Sequence, residues 1–148
     1  MDVVSRFRPH SVVRHRLPGL PGRGALVAEL GRSHGSLAIF VLHLALGRAT
    51  RLRQMGYLAE LVNEFEHVIF MGDLNCDPWS PEMQLLTRET RLQAPSRHYG
   101  TYPSWRPRRR IDYILVTPEI HIRRSFVPPW RYSDHLPIAM EVTLPESI

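Results

Sequence analysis

Three short polar motifs in the chain contain the residue types that acid–base chemistry on a phosphate requires. They are Gly72-Asp73-Leu74-Asn75, Arg110-Ile111-Asp112-Tyr113 and Ser133-Asp134-His135. A carboxylate beside a histidine fixes the tautomer of the imidazole and favours its protonated form, which suits proton transfer or the stabilisation of charge on a phosphate. Asp112 and His135 are the candidate pair.

Oxygen-bearing side chains in the same motifs also suit a divalent cation. Hard cations prefer carboxylate, amide carbonyl and water oxygens. Asp73, Asn75 and Asp134 are therefore candidate ligands of a magnesium or manganese site. Asp73 could instead orient an attacking water, and the sequence leaves both roles open.

Each of these features also has a purely structural interpretation. A Gly-Asp turn after an apolar strand is often only a cap, and Ser133-Asp134-His135 could form a local hydrogen-bonded turn. His43, which ends an apolar stretch, could be a hydrogen-bonded histidine of the core. Asp112 is harder to explain in this way, because a carboxylate that enters an apolar strand needs a partner.

The segment from 105 to 110 contains two candidate substrate contacts. The run from Arg106 to Arg110 is of a kind that is usually a solvated surface, but it could also contact phosphate. Trp105, like Trp79, could stack on a base or sugar, or could pack beneath the loops. Arg110 and Trp105 are the candidate substrate-binding residues of this segment.

The composition indicates one globular domain with an anionic partner. The 148 residues, 43% of them hydrophobic, suffice for a core, and we expect a single domain over residues 1–148. A net charge of +5 favours nucleic acid, a phosphoester or an anionic membrane surface as partner. All 19 lysine-plus-arginine residues are arginine, which codon bias explains better than phosphate recognition does.

Two further features concern the compartment. The lone cysteine, Cys76, cannot form an internal disulfide, and no apolar run is long enough to span a bilayer. The N-terminus lacks the charged start and apolar stretch of a signal peptide. We therefore expect a soluble, cytoplasmic protein without a membrane span.

The apolar patterning predicts an α/β fold with a mixed sheet or sheets. Spacing of three and four residues predicts a helix over 50–65, and Ser80 is the expected cap of a short helix over 81–86. Strands are expected on either side of a turn at 18–22, and at several later positions. The predicted strands are 12–17, 24–30, 37–42, 68–71, 111–116, 120–127 and 138–144.

These elements give the polar residues a reason to meet. If the strands that end at His43 and Asp73 are parallel and joined by the long helix, both residues emerge at the same rim of the sheet. Asp112 begins its strand, and Asp134 and His135 precede theirs. If those two strands run antiparallel to the first pair, all five side chains gather at that rim.

The joint order of the motifs resembles the endonuclease/exonuclease/phosphatase superfamily. The resemblance rests on His43-Leu44, the Gly72–Asn75 motif, Thr101–Trp105 leading to Arg110–Leu115, and Ser133–Ile138. It runs through almost the whole chain. It implies a four-layer α/β/β/α sandwich, in which two sheets pack face to face between helices, and metal-assisted hydrolysis of a phosphoester.

The resemblance also implies roles for the candidate residues. Asp73 would activate or orient the attacking water, Asn75 would hold that water or the phosphate, and His43 would contact the phosphoryl oxygens. Asp134 would contact Mg²⁺ or Mn²⁺. His135, polarised by Asp112, would act as a base or stabilise charge.

The chain departs from the family pattern before His43. Family members carry an asparagine and a glutamate motif there, whereas the only acidic residues in this stretch are Asp2 and Glu29, and neither matches. We therefore interpret the chain as the C-terminal portion of such a domain, lacking its N-terminal strands. Missing strands would leave a sheet edge and core surface exposed, so a second chain or a missing N-terminal segment is expected to complete the sheet.

Several functions remain open on the sequence alone. The first is hydrolysis of a phosphoester, with nucleic acid, a phospholipid head group or a small phosphoester as substrate. The second is a catalytically incomplete remnant or interaction module of the same fold. The third is binding of DNA or RNA without turnover.

Overall fold

The computed structural model describes residues 2–19, 21–31, 37–95 and 99–148. Within these ranges the chain forms seven strands and two helices. The strands are β1 (Ser11–Arg16), β2 (Gly24–Leu30), β3 (Leu37–His43), β4 (Val68–Asp73), β5 (Asp112–Val116), β6 (His121–Phe126) and β7 (Ala139–Thr143). The helices are α1 (Arg48–Val62) and α2 (Pro81–Glu89). Every element expected from the sequence is present; β2 has the expected bounds and the others have shifted ends.

Five of the strands form one sheet in the order β1-β2-β3-β4-β5. Neighbouring strands are antiparallel except for β3 and β4, which are parallel and joined by α1. A parallel pair needs such a crossover because its strands start at the same edge of the sheet. The expected strand–helix–strand unit is therefore confirmed, as is the hairpin of β1 and β2.

The two remaining strands, β6 and β7, pair with each other in a separate two-stranded sheet. The strand after His135 therefore does not join the sheet of β3 and β4, which was one of the arrangements that the sequence left open; two sheets are what the family resemblance implies. The side chains of β7 are apolar mainly on one face, where Met140 and Val142, like Ile39 and Ile69 of the larger sheet, pack against the buried cluster of Leu37, Val116 and Ile120. Because this face is buried against the larger sheet, β7 lies in a second layer. The sequence pattern shows that the strand has an apolar face but not which sheet the strand joins.

The helices cover the opposite face of the five-stranded sheet. Met55, Leu58 and Val62 of α1 are buried there with Phe40 and Phe70 of the central strands. The helix ends at Val62, three residues before the expected end at Phe65. Phe65 nevertheless reaches the core from the turn that follows, with its ring 5.8 Å from that of Phe40, which explains why the apolar spacing continued beyond the helix.

The second helix begins as expected. The Ser80 hydroxyl accepts a hydrogen bond from the Met83 amide over 3.3 Å, and Pro81 occupies the first turn, where no amide donor is needed. The helix runs to Glu89 rather than 86. Thr87 and Arg88 continue the regular turn but lie on its exposed face, so the apolar pattern ends before the helix does.

The layers are thus helices, a five-stranded sheet and a two-stranded sheet, which is the mixed α/β arrangement expected. The second sheet covers only part of the first. Beyond it lies an open groove of about 700 Å³, floored by Leu26, Ile39, Val41 and Met71 and bordered by residues 2–5 and 7–9. Neither helix in the described ranges is long and apolar enough to cross a membrane.

Candidate functional site

The site lies along a single row of residues that crosses all five strands. In the strand register Arg16 faces Gly24, Gly24 faces His43, His43 faces Asp73, and Asp73 faces Asp112. The ends of β3 and β4 meet the beginning of β5 because β5 runs antiparallel to them. The expected convergence of His43, Asp73 and Asp112 at one rim is therefore confirmed.

Gly72 allows β4 to approach β3 closely just before Asp73. Its φ is +143°, and a Cβ at this position would lie 2.0 Å from the carbonyl oxygen of Leu42. A larger residue would force the two strand ends apart. The glycine of the Gly-Asp motif thus sets the distance between Asp73 and the end of the neighbouring strand.

Asp112 and His135 form the hydrogen-bonded pair that the sequence suggested. His135 Nδ1 lies 2.8 Å from Asp112 Oδ2, and the same oxygen accepts a hydrogen bond from Thr101 Oγ1 over 2.5 Å. Because the carboxylate is an acceptor, Nδ1 carries the proton and Nε2 is left for a substrate. The Tyr102 ring packs on the imidazole with its centroid 4.8 Å away.

The segment 101–104 brings His135 to the rim although β7 belongs to the second sheet. The Leu136 amide donates to the Thr101 carbonyl over 2.8 Å, and the Ser104 amide donates to the Asp134 carbonyl over 2.7 Å. The Ser104 hydroxyl adds a bond of 2.6 Å to the Ser133 carbonyl. Residues 133–136 are therefore held by this segment rather than by a strand of the main sheet.

His43 lies between a cation and a carboxylate. Its Nε2 is 3.5 Å from Asp73 Oδ2 and also contacts the Arg23 guanidinium. Partial burial and then the charge of Arg23 lower the pKa of His43, which outweighs the opposing effect of Asp73. A neutral imidazole at this position is a hydrogen-bonding group, so the His43–Asp73 contact is not an ion pair at neutral pH.

Asp73 is a half-buried carboxylate next to a second one. Burial raises its pKa first, the neighbouring charge of Asp112 raises it further, and a hydrogen bond from the Asn75 amide opposes both. That bond joins the Asn75 nitrogen to Asp73 Oδ1 over 2.9 Å. Two carboxylates side by side favour a cation or a shared proton between them.

Asn75 has a structural role in addition to its predicted role of holding the attacking water or the phosphate. Its φ is +52°, a left-handed conformation that asparagine tolerates better than most residues. Its side-chain amide donates to the Leu44 carbonyl over 2.9 Å. Asn75 therefore ties the loop after β4 to the loop after β3, beside the cleft.

The loop that follows His43 is fixed from beneath by two polar side chains of α1. Gln54, fully buried, accepts from the Ala45 amide and donates to the Pro18 carbonyl, both over 2.9 Å. Arg51 donates to the Ala45 carbonyl over 3.2 Å and pairs with the buried Glu82 of α2 over 2.8 Å. Both helices thus support the rim, a role that the apolar spacing of α1 did not reveal.

These residues open onto a cleft of about 520 Å³. Six of the predicted site residues are among those that line it. The lining residues are His43, Leu46, Asp73, Asn75, Tyr102, Arg109, Ile111, Asp112, Asp134 and His135.

The two predicted substrate contacts lie elsewhere. Arg110 lines a small neighbouring pocket, and Trp105 is 65% exposed and outside the cleft lining. The cleft instead receives Arg109 and Tyr102, which face each other in an isolated antiparallel bridge. Tyr102 belongs to the segment 101–105 already singled out, whereas no pattern in the arginine run distinguishes Arg109 from Arg110. Substrate contact by Arg110 or Trp105 stays a prediction.

Two carboxylates of the cleft are close enough to share a cation, with His135 beside them. Within the described ranges, Asp73, Asp112 and His135 each offer one ligand atom within 4.8 Å of the others. The two aspartates are oxygen donors of the kind that Mg²⁺ and Mn²⁺ prefer, and their mutual repulsion is what a cation would relieve. The donor set therefore fits a hard divalent ion. Asp134 lines the cleft with an exposed side chain but lies outside this group, so its role as a ligand stays a prediction.

The fold and the cleft define a class of protein. The model of the Endonuclease/Exonuclease/phosphatase family matches residues 3–135, and the chain belongs to that family. Its curated relatives include the protein YbhP of Escherichia coli (strain K12), which is 32% identical over 140 residues covering 85% of this chain and 54% of the relative. The chain therefore spans about half the length of that relative.

Solved structures share the fold at lower identity. One is the mannosyl-6-phosphatase Bt3783 of Bacteroides thetaiotaomicron VPI-5482, with a TM-score of 0.76, 18% identity, and coverage of 93% of this chain and 67% of that one. An endonuclease/exonuclease/phosphatase from Beutenbergia cavernae DSM 12333 has a TM-score of 0.77 and 21% identity, and the match covers 97% of this chain and 47% of that one. The 3' phosphatase NExo from Neisseria, bound to a product DNA hairpin, has a TM-score of 0.72 and 17% identity, and the match covers 94% of this chain and 73% of that one.

Proposed function

We propose that the cleft hydrolyses a phosphoester with the help of Mg²⁺ or Mn²⁺. The observation that supports this most strongly is the group of Asp73, Asp112 and His135 on one rim, with a hydrogen-bonded Asp–His pair beside a second carboxylate. Two of the solved structures with this fold bear names of phosphatases.

Each side chain has a defined part in this proposal. Asp73 orients the water that attacks phosphorus, and His135, held by Asp112, accepts a proton or stabilises negative charge through Nε2. The Arg23 guanidinium, which contacts His43 Nε2, donates hydrogen bonds to the phosphoryl oxygens, and His43 contacts them through the N–H on its other ring nitrogen. The bond from water oxygen to phosphorus forms while the bond from phosphorus to the leaving oxygen breaks.

The cation would be held by Asp73 and Asp112, with Asp134 as a further expected ligand. Once bound, it supplies a positive charge that polarises a phosphoryl oxygen.

The proposal is tested by hydrolysis of bis(4-nitrophenyl) phosphate with and without Mg²⁺. We expect turnover that depends on the metal and is abolished by Asp73→Asn. The matched control is Asp77→Asn, which changes an exposed aspartate outside the cleft lining and is expected to retain turnover. Undiminished turnover of the Asp73→Asn protein would overturn the proposal.

A catalytically incomplete module of the same fold is the second candidate, with nucleic acid as its ligand. It is favoured by the net charge of +5 and by the absence of a glutamate among the described residues that line the cleft. Calorimetry in which neither Mg²⁺ nor Mn²⁺ binds at millimolar concentration would support it. Binding of DNA or RNA that weakens steeply with salt would identify the ligand.

We also propose that further β-strands from another polypeptide segment cover the open face of the main sheet. The groove there has an apolar floor, and Val4 and Phe7 at its border are 100% and 75% exposed. Among the described residues, the second sheet has only the strands β6 and β7, and neither strand lines the groove. A native mass above that of this chain, with the groove protected from hydrogen exchange, is expected; a monomer of 17.2 kDa with the same protection would overturn the proposal.

A further inference from the structure

The row of residues that forms the site continues beyond His43. Gly24 is the register partner of His43 on β2, and Arg16 is the partner of Gly24 on β1. Two strand spacings separate the backbone of Arg16 from that of His43, which is roughly 10 Å. Because Gly24 has no side chain, nothing from the strand between them stands in that interval.

A second groove, of about 400 Å³, lies over this part of the row. It is lined by Arg14, His15, Arg16, Arg23 and His43, together with three small residues of the β1–β2 turn and β2. His43 lines both this groove and the catalytic cleft. The two spaces therefore adjoin at the residue that faces the phosphate in the proposed function.

The lining of the second groove is strongly basic. It contains three guanidinium groups and no carboxylate. Two carboxylates lie at its border: Asp2 is 3.8 Å from Arg14, and Asp73 is 3.5 Å from His43. His15 turns towards α1 and contacts the Tyr57 hydroxyl over 3.0 Å, so the arginines determine the charge of the groove.

Arginine is suited to such a site because its planar guanidinium binds phosphate with two parallel hydrogen bonds. A basic strand on a solvated surface would carry its charges without regard to the cleft. Here Arg16 stands in the same register row as His43, Asp73 and Asp112. The arginines therefore extend the cleft in one direction, away from Asp112.

We propose that this groove is a second anion-binding subsite, which takes a further phosphate of the substrate whose first phosphate lies at His43. The inference rests on the proposed function and narrows its substrate class to phosphoesters with at least two phosphate groups. Such a second phosphate belongs either to a neighbouring nucleotide or to a small polyphosphorylated molecule.

The subsite is tested by comparing probes with one and with two phosphates. Phenyl phosphate is the one-phosphate probe, and the two-phosphate probes are inositol 1,4-bisphosphate and the trinucleotide dTpdTpdT, which has two internucleotide phosphates. Arg16→Gln is expected to weaken the two-phosphate probes roughly 10-fold, the usual effect of losing a charge-assisted hydrogen bond, and to change the phenyl phosphate affinity far less. Whichever two-phosphate probe binds more tightly identifies the source of the second phosphate.

Arg53→Gln is the matched control, since Arg53 is an exposed arginine of α1 on the other face of the sheet. It removes the same charge without touching the groove. Equal weakening by Arg16→Gln and Arg53→Gln would overturn the subsite, because it would reduce the effect to net charge. So would equal weakening of one-phosphate and two-phosphate probes.

Binding is measured by calorimetry on the Asp73→Asn protein as well as on the unchanged chain. This separates the subsite from the proposed function. If no probe is hydrolysed but the two-phosphate probes still depend on Arg16, the hydrolytic function fails and the subsite stands. If the probes are hydrolysed but binding of the two-phosphate probes does not depend on Arg16, the hydrolytic function stands and the subsite fails.

Discussion

The buried hydroxyl of Thr101 donates a hydrogen bond to Asp112 over 2.5 Å, on the oxygen that also faces His135. Thr101 is fully buried, and its backbone joins the Leu136 amide over 2.8 Å. One residue thus fixes both the carboxylate of the Asp–His pair and the loop that carries the histidine. It acts through Asp112 and His135, and it is a positioning residue.

Thr101→Val keeps the shape of this side chain and removes its donor. Because a partly buried carboxylate then loses a hydrogen bond, we expect a loss of stability of about 1–3 kcal/mol, measured by urea denaturation. We also expect kcat to fall more than KM changes, since the pair would be less well oriented. Thr143→Val, at an exposed position of β7, should leave both stability and kcat unchanged; equal effects of the two variants would contradict the role of Thr101.

Gly72→Ala is expected to destabilise the fold strongly. The new Cβ would meet the Leu42 carbonyl at 2.0 Å, in backbone rather than in a flexible side chain. Strand separation or local unfolding should cost about 3 kcal/mol or more. Urea denaturation measures the loss.

Gly56→Ala is the matched control for that variant. Gly56 lies in the middle of α1, and nothing lies within 4 Å of a Cβ built there. Because alanine is the better helix former, we expect this variant to be more stable by about 0.5–1 kcal/mol. If both glycine variants lost the same stability, the close approach of β3 and β4 would not be the reason for Gly72.

The ion pair between Arg51 and Glu82 is expected to matter for stability because it is buried. Glu82 is 1% exposed, and Arg51 also holds the loop after His43. Glu82→Gln leaves a guanidinium without its counter-charge and should cost about 3–5 kcal/mol, again by urea denaturation. Glu89→Gln removes the partner of Arg88 in an exposed pair and should cost less than about 1 kcal/mol.

We expect the Arg51→Met and Glu82→Gln proteins to lose a comparable amount of stability, and the double variant to lose little more than either one. That non-additivity is expected when two side chains act as one pair. Independent, additive losses would show instead that each residue packs separately.

Sequence reasoning anticipated the convergence at the rim because it depended on local pattern. The apolar strands ending at His43 and Asp73 and the helix between them implied a parallel pair, and the register partnership of these two residues confirms it. The family and the α/β fold class were likewise accessible, since the motifs occur in order along the chain.

Other parts of the site depend on contacts that a sequence does not display. The pairing of β7 with β6 follows from which apolar face is buried, and the Arg51–Glu82 pair joins residues 31 positions apart. The choice of Arg109 over Arg110 for the cleft follows from one bridge to Tyr102. The single-domain organisation, the cytoplasmic location and the roles of the individual site residues stay predictions.

Cys76 is expected to react slowly with thiol reagents in the native protein. It is 3% exposed, and burial raises the pKa of its thiol to about 11. Since the thiolate is the reactive form, its fraction at pH 8 should be roughly 100-fold lower than for a cysteine with the reference pKa of 9.0. Labelling by 5,5'-dithiobis(2-nitrobenzoic acid) should therefore be slow at pH 8 and should accelerate as the pH rises towards 10, because the thiolate fraction of Cys76 increases in that range.

Concentrated urea should make the labelling of Cys76 fast and stoichiometric at pH 8, with glutathione as the control for reagent and pH. Rapid labelling of the native chain at pH 8, at the rate seen in urea, would show that the loop after Asp73 opens and that Cys76 is not held in the core.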